Sequence, residues 1–251
     1  MPVPSRTWIE QWRSRNHQRR YLEQIGVGKA SRQFLQKYGT AVRYGPFAGM
    51  TYTKEAAADR IIIPKLLGSF EQELHPIWDS ALEPSSYETI IDIGCAEGYY
   101  STGFAVRSKA QVVAFDVEPR ELSFARGMAK SNGVCDRMRF AGWCTGEKLE
   151  QEARGRTLIL SDCEGYESTL FTREIAGRLN RSDLLIELHG AAQAVLPGIL
   201  SESHEVKLIG TEPRTPAQFA ELDGFGPEVA ALALCEHRDP AQKWLWAQAR
   251  R

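Results

Sequence analysis

One segment constrains the fold more than any other. Residues 89–94, TIIDIG, are a short apolar run ending in glycine. CAEGYY follows as a turn, Ser101 to Arg107 starts a helix, and QVVAFD at 111–116 is a second apolar run. Strand, glycine turn, helix and strand in that order open a parallel α/β sheet. Pro119 to Ser131 then reads as a helix, with proline suited to its first turn and Leu122, Ala125 and Ala129 spaced to face the sheet. MRFAGW (138–143), TLILSD (157–162) and DLLIELH (183–189) give three more strands, and Thr169 to Leu179 the helix after the fourth. Their largely unbroken apolar character implies burial on both faces. HEVKLIG (204–210) is expected as the sixth strand and EVAALALCE (228–236) as an antiparallel seventh, with Trp244 and Trp246 docking the tail. The expected fold is therefore α/β and doubly wound. It has a Rossmann-like, seven-stranded, mostly parallel sheet with helices on both faces, plus a helical N-terminal extension.

Residues 1–82 carry no alternating strand–helix unit. Segments 6–25 and 30–38 read as short helices, and 66–75 as another with Leu67, Phe70 and Leu74 on one stripe, ended or kinked by Pro76. The expected division is an extension or cap over 1–82 and a ligand-binding domain over 83–251. With 251 residues, 43% of them hydrophobic and 25% charged, one such domain with an extension can pack a core. A net charge of -1 disfavours a nucleic-acid partner. The basic run Arg13 to Arg20 is short and mixed, and reads as a solvated helix face. No run approaches the length of a membrane helix and no apolar signal core opens the chain, so a cytoplasmic protein without a membrane partner is expected. Five cysteines without a CxxC spacing read as free thiols. A homo-oligomer stays open.

The ligand signal lies in Asp92, Gly94, Gly98 and Asp116. Glycines between a buried strand and a helix let the backbone approach a ligand with no Cβ in the way. Asp116 ends the next strand, placed to hold the ribose hydroxyls of an adenosine. The dinucleotide fingerprint G-x-G-x-x-G is absent, no Walker lysine is present, and Glu97 puts negative charge where a phosphate would sit. An adenosine ligand with a positive centre and no phosphates fits, and S-adenosylmethionine (SAM) is such a ligand. The bland alternative is that the glycines serve only a tight turn.

IIDIGCAEGYYS, VVAFDVEP, LILSDCEGYESTLF and LLIELHG together resemble the FkbM-type class I methyltransferases over about residues 89–190, with looser similarity in GPFAGMTY and KLLGSFEQEL. The resemblance implies SAM-dependent methylation of hydroxyl groups on sugars or secondary metabolites, with a small-molecule acceptor. It carries the first-motif acid and glycines onto Asp92, Gly94 and Gly98 and the ribose acid onto Asp116. The fourth-strand motif falls on Asp162 and Gly165, flanked by Glu164 and Glu167, and the fifth-strand acid on Glu187, followed by His189. Where that family has Gly-Ala-Asn before its second glycine, this chain has Gly-Cys-Ala-Glu.

Transfer of an activated methyl to a hydroxyl needs in-line placement and a base or a metal for the acceptor proton. Asp162 and Glu164 lie two apart at the end of strand four, and Glu187 and His189 two apart at the end of strand five. Two readings stand. His189 is a general base oriented by the acids, or Asp162, Glu187 and His189 bind Mg²⁺ or Mn²⁺. Ser101 is a candidate for the SAM carboxylate, Trp143 for flanking the adenine and Glu71 for contacting the cofactor from the front; each also has a purely structural reading as a cap, a core residue or a solvated helix position. N-methylation and a different adenosine-binding function are the alternatives.

Overall fold

The computed structural model describes residues 20–250 except 22, 59, 60, 85 and 237–240. The segment 6–19 and most of the basic run lie outside the described residues. Seven strands form one sheet: β1 (Thr89–Ile93), β2 (Gln111–Phe115), β3 (Met138–Ala141), β4 (Thr157–Ser161), β5 (Asp183–Leu188), β6 (His204–Gly210) and β7 (Lys243–Ala249). Their order is β3-β2-β1-β4-β5-β7-β6. β1 to β5 are parallel, and β7 runs antiparallel between β5 and β6. Every residue of β1, β4 and β5 is buried, as expected of central strands covered on both faces.

The register positions the site. Ile93 pairs with Phe115 on one side and Ser161 on the other, and Ser161 pairs with Ile186. The next residue along each chain is Gly94, Asp116, Asp162 and Glu187. These four therefore sit side by side along the carboxyl edge. The order reverses between β1 and β4, and open α/β sheets bind ligands at that crevice.

Two sequence expectations are corrected here. EVAALALCE is a helix, Pro227–Leu234, and the seventh strand is the tail Lys243–Ala249. Alanine and leucine favour helix, and Pro227 at its first turn suits the start of one. KWLWAQA instead carries the large rings two apart, which fits a strand. The expected helix over 66–75 is broken. A helix at Ile63–Leu67 ends at left-handed Gly68, and Pro76 lies in the first turn of the next helix, His75–Ala81. Proline lacks the N–H that a first turn leaves unpaired anyway, so it starts this helix rather than ending one. The helix expected over 169–179 is likewise split into Glu167–Leu170 and Arg173–Arg178, with Thr172 capping the second through Ile175 N.

The front section shares a core with the sheet. Phe34, Phe47, Met50, Leu66 and Trp78 belong to one buried cluster with Ile90, Phe104, Val112, Leu158 and Trp244. The opposite face is packed by Ile91, Val113, Ile159, Leu184 and residues of the helices over 173–178 and 192–200. Phe47 holds the joint. Its ring lies 5.4 Å from Tyr99, 5.9 Å from Tyr100 and 5.2 Å from Phe104, all edge-on. A Cβ on Gly103 would approach that ring to 2.5 Å, so the glycine makes the room. Among the described residues no helix is long and apolar enough to cross a membrane. Phe47→Ala should lower unfolding free energy by about 3–5 kcal/mol in urea titrations, as for a fully buried ring. A loss below about 1 kcal/mol would show that the front section is only loosely attached.

Candidate active site

The turn after β1 is built from backbone contacts that tolerate no side chain. A Cβ on Gly94 would lie 1.7 Å from the Asp162 carbonyl oxygen. Gly94 N and Cys95 N donate to Phe115 O at 2.8 and 3.0 Å, tying the turn to β2. Gly98, at φ 91, opens the helix Tyr99–Arg107, and a Cβ there would press on Ala125 at 3.0 Å. Asp116 holds the turn from the next strand end: its carboxylate accepts from Ala96 N and from Glu118 N, each at 2.8 Å.

Asp92 is buried and accepts from Ser101 N at 3.0 Å. Burial pushes its carboxyl up to about 7, against the partial relief of the Ser101 bonds, with the charges of Asp116 and Glu97 adding to the rise. Ser101 is itself wholly buried beside Asp92. Glu97 does not face a ligand. It is buried, accepts from Tyr52 Oη at 3.0 Å and from Lys65 Nζ at 2.5 Å, and so pins the front section to the turn.

At the neighbouring strand ends four side chains converge. His189 Nε2 lies 3.8 Å from Asp162 Oδ1, 3.6 Å from Glu164 Oε2 and 3.7 Å from Glu187 Oε2. His189 Nδ1 is 2.8 Å from Glu167 Oε1. Glu167 is fully buried and accepts from Cys163 N and Gly165 N at 3.1 and 2.9 Å. Burial alone would pull the imidazole down, but the Glu167 hydrogen bond and the charges of Glu187, Glu167 and Glu164 outweigh it and raise its pKa. For Asp162, burial and then the adjacent Glu187 carboxylate push the pKa well up. Its side chain is 38% exposed, yet Oδ1 faces inward with no hydrogen-bond partner. Atoms of Asp162, Glu164 and His189 lie within 4.8 Å of one another, as ligands of a metal ion must.

Asp162, Glu187 and His189 are thus brought together as their spacing suggests, but by a different device. Glu187 is in β5 and His189 just beyond it, whereas Asp162 and Glu164 follow β4, and Glu164 takes a left-handed backbone at φ 54. A chain reversal, rather than extended period-two geometry, aims Glu164 at the imidazole. What sequence reasoning missed is the role of Glu167, named only as a flank of the fourth-strand motif, which hydrogen-bonds His189 Nδ1 and so orients the ring. E-G-Y-E, with acids three apart, is the signal it left.

The other candidates are spread around this edge. Glu71, at φ 50, is buried in the front section, takes the Tyr100 hydroxyl on its carboxylate and gives its N–H to Glu236 at 2.7 Å. Its charge acts on Asp162. Trp143 is 51% exposed, with its ring 4.6 Å from Tyr166. Glu71, Ala96 and Glu164 are the non-glycine residues with positive φ among the described residues, and all three border this edge. Such strain persists only where the surroundings enforce it, and it gathers at functional sites.

Residues 84–152 match the family model described as a methyltransferase domain. The sheet order, with its antiparallel seventh strand, is that of a doubly wound, Rossmann-like methyltransferase fold. In sequence it is similar to a ribosomal protein L11 methyltransferase of Pelotomaculum thermopropionicum, 27% identical over 162 residues, which are 64% of this chain and 43% of that protein. The chain thus spans less than half the length of that relative. Among solved structures it resembles precorrin-6y C5,15-methyltransferase from Geobacter metallireducens, with a TM-score of 0.50 and 13% identity over 71% of this chain and 89% of that one. An rRNA methylase from Streptococcus thermophilus gives a TM-score of 0.47 and 15% identity over 71% of this chain and 97% of that one. The likeness to the precorrin methyltransferase corrects the FkbM resemblance: it supports a Rossmann-type methyltransferase fold in general and not the FkbM branch. The quoted motifs are those that any glycine turn, ribose acid and acidic strand end of this superfamily produce, so they do not single out one branch.

The raised Asp92 carboxyl has a consequence for stability. A carboxyl that holds its proton more tightly when folded favours the folded chain less as pH rises from its unfolded pKa of 3.8 to about 7. Without SAM, the stability difference between Asp92→Asn and the parent should grow by up to about 4 kcal/mol between pH 4 and pH 8, in favour of the asparagine. Equal pH slopes in urea unfolding would show that Asp92 ionises freely.

Proposed function

We propose that this protein is a SAM-dependent methyltransferase that methylates a hydroxyl of a small molecule, assisted by a divalent cation. The observation that carries the proposal is the convergence on His189 Nε2 of three carboxylate oxygens at 3.6–3.8 Å. Behind it a buried glutamate fixes the ring through Nδ1. A histidine locked by a carboxylate on one nitrogen presents the other as a ligand or base. The next residues along the strands place Gly94 and Asp116 on the same edge, so a methyl donor held there lies beside this group.

The residues suit SAM. Gly94 and Gly98 leave a turn without Cβ atoms, and each Asp116 oxygen can accept a further hydrogen bond, here from a ribose hydroxyl. Asp92 organises the turn through Ser101 N, and Ser101, buried beside it, serves the site from behind. Glu71 offers a buried carboxylate for the methionine ammonium, and Trp143 with Tyr166 walls the adenine side. SAM supplies a methyl group already activated on a sulfonium. In this proposal residues 1–82 form the cap and 83–251 the SAM domain. The cap excludes water, since Glu71 and the Lys65–Glu97 pair close the edge from the front.

The unpartnered Asp162 Oδ1 and the mutual repulsion of Asp162 and Glu187 are what a hard cation would relieve. Mg²⁺ or Mn²⁺ held by Asp162, Glu164 and His189, whose ligand atoms lie within 4.8 Å of one another, with the Glu187 carboxylate beside them, would lower the pKa of an acceptor hydroxyl. Nucleic acid fits poorly, because phosphates would meet these carboxylates. The same carboxylates support a second reading, N-methylation, in which they hold an ammonium and His189 takes its proton.

Calorimetry should rank SAM and S-adenosylhomocysteine well ahead of NAD⁺, and the reverse order would end the methyltransferase reading. Asp116→Ala should weaken SAM binding by about 1.5–3 kcal/mol. His189→Ala should leave SAM affinity within a few-fold and cut turnover by at least about 100-fold. Mn²⁺ binding, followed by its electron paramagnetic resonance signal, should weaken as pH falls through the imidazole pKa, which lies above 6.5. His189→Ala should remove the imidazole's share of that pH dependence and leave the share that Asp162 contributes. No Mn²⁺ binding, with activity indifferent to EDTA, would reject the cation and leave His189 as a base.

A further inference from the structure

Among the described residues the sheet ends in an open edge. β6 pairs with β7 on one side and terminates the strand order on the other. An edge of this length presents a row of backbone donors and acceptors to any other strand. Residues 205 to 208 are all exposed, unlike the starting His204, which is buried against Ser182 O at 3.1 Å and Leu179 O at 3.3 Å. Val206 and Leu208 point to one face and are 37% and 47% exposed. On that face lies the helix over 192–200, with Val195 also exposed. Glu205 and Lys207 point to the other face.

We propose that β6 is a self-association edge: two copies of this chain pair antiparallel through residues 204–208 about a two-fold axis at Val206, joining their sheets. Charge and symmetry choose the occupant and the register. A two-fold axis normal to the sheet keeps like faces together, so the axis must fall on a residue or between a pair that share a face. With the axis at Val206, Glu205 of each copy lies opposite Lys207 of the other, twice over, and the two Val206 side chains meet. With the axis at Lys207, that lysine opposes itself and Glu205 faces Ile209. Opposite charges across a strand pair stabilise and like charges directly opposite destabilise. The strand is thus complementary to itself in one register. The isolated apolar pair, Val206 and Leu208, is then covered by its own copy, with Leu208 over His204.

Sedimentation velocity on the full chain across a range of concentrations tests the assignment. A species of twice 28.2 kDa is expected. E205K places like charges at both cross-strand pairs and should raise the dissociation constant at least about tenfold. E205K combined with K207E restores opposite charges and should restore the dimer. These positions are exposed, and an unchanged circular dichroism melt will confirm that each variant is folded. In a background where the exposed Cys135 and Cys235 are serine, Val206→Cys should form a disulfide-linked dimer under mild oxidation, and Lys207→Cys should not. A monomer at all concentrations up to about 100 μM would overturn the proposal. So would a dimer indifferent to E205K, or one that cross-links through position 207 and not 206.

Discussion

The contact between Gly94 and the Asp162 carbonyl sets the geometry of everything at the functional edge. At 1.7 Å a Cβ would overlap the oxygen outright, so β1 and β4 can leave the sheet side by side only because residue 94 is glycine. Asp162 N in turn donates to Ile93 O at 2.9 Å, which closes the last rung between the two strands. The turn that would receive a cofactor and the rim that would receive an acceptor are therefore one piece of backbone. In the proposed reading the distance between methyl donor and acceptor would be set by strand spacing rather than by side-chain choice.

Strain is concentrated where that edge must be shaped. Ala96 and Glu164 take left-handed backbone in the turns after β1 and β4, and Glu71 does so where the front section meets them. Asparagine or glycine would adopt these angles more cheaply. Each residue is held by other contacts: Ala96 by the Asp116 carboxylate, Glu71 by Tyr100 and Glu236, Glu164 by the loop that Glu167 anchors. The clamp behind Glu71 reaches into the β6–β7 crossover. Arg214 bridges Glu73 at 2.8 Å and Glu236 at 2.7 Å, and Arg43 and Tyr44 both reach Glu221. Front section and crossover thus hold Glu71 from two sides, although they lie far apart in sequence.

This explains what the sequence could and could not disclose. The central strands β1, β4 and β5 were legible because a strand buried on both faces must be apolar throughout, and the turn after β1 because Gly94 and Gly98 stand at positions where a Cβ would clash. The seventh strand was misplaced because AALAL and WLWA are both apolar runs. Only the partner, β5 on one side and β6 on the other, decides between helix and strand there. The front section was opaque for a different reason. It shares Phe34, Phe47, Met50, Leu66 and Trp78 with the core of the sheet, but its helices over 54–57, 63–67 and 75–81 are too short for a period to show. Family identity was overread because the motifs that looked specific are those the fold itself requires.

The rim raises a last question of charge. The charges of Glu187, Glu71 and Glu164 act on Asp162, and His189 Nε2 lies 3.6–3.8 Å from Asp162, Glu164 and Glu187, its second nitrogen already committed to Glu167. A single imidazolium cannot neutralise that set. Burial and the neighbouring charges push the Asp162 pKa well up. In the proposed reading a positive group at this edge, a divalent ion or the sulfonium and ammonium of a SAM molecule, would favour the ionised form of Asp162. Charge complementarity of this kind selects ligands by sign before shape. It accounts for an acidic edge in a chain whose net charge is only -1.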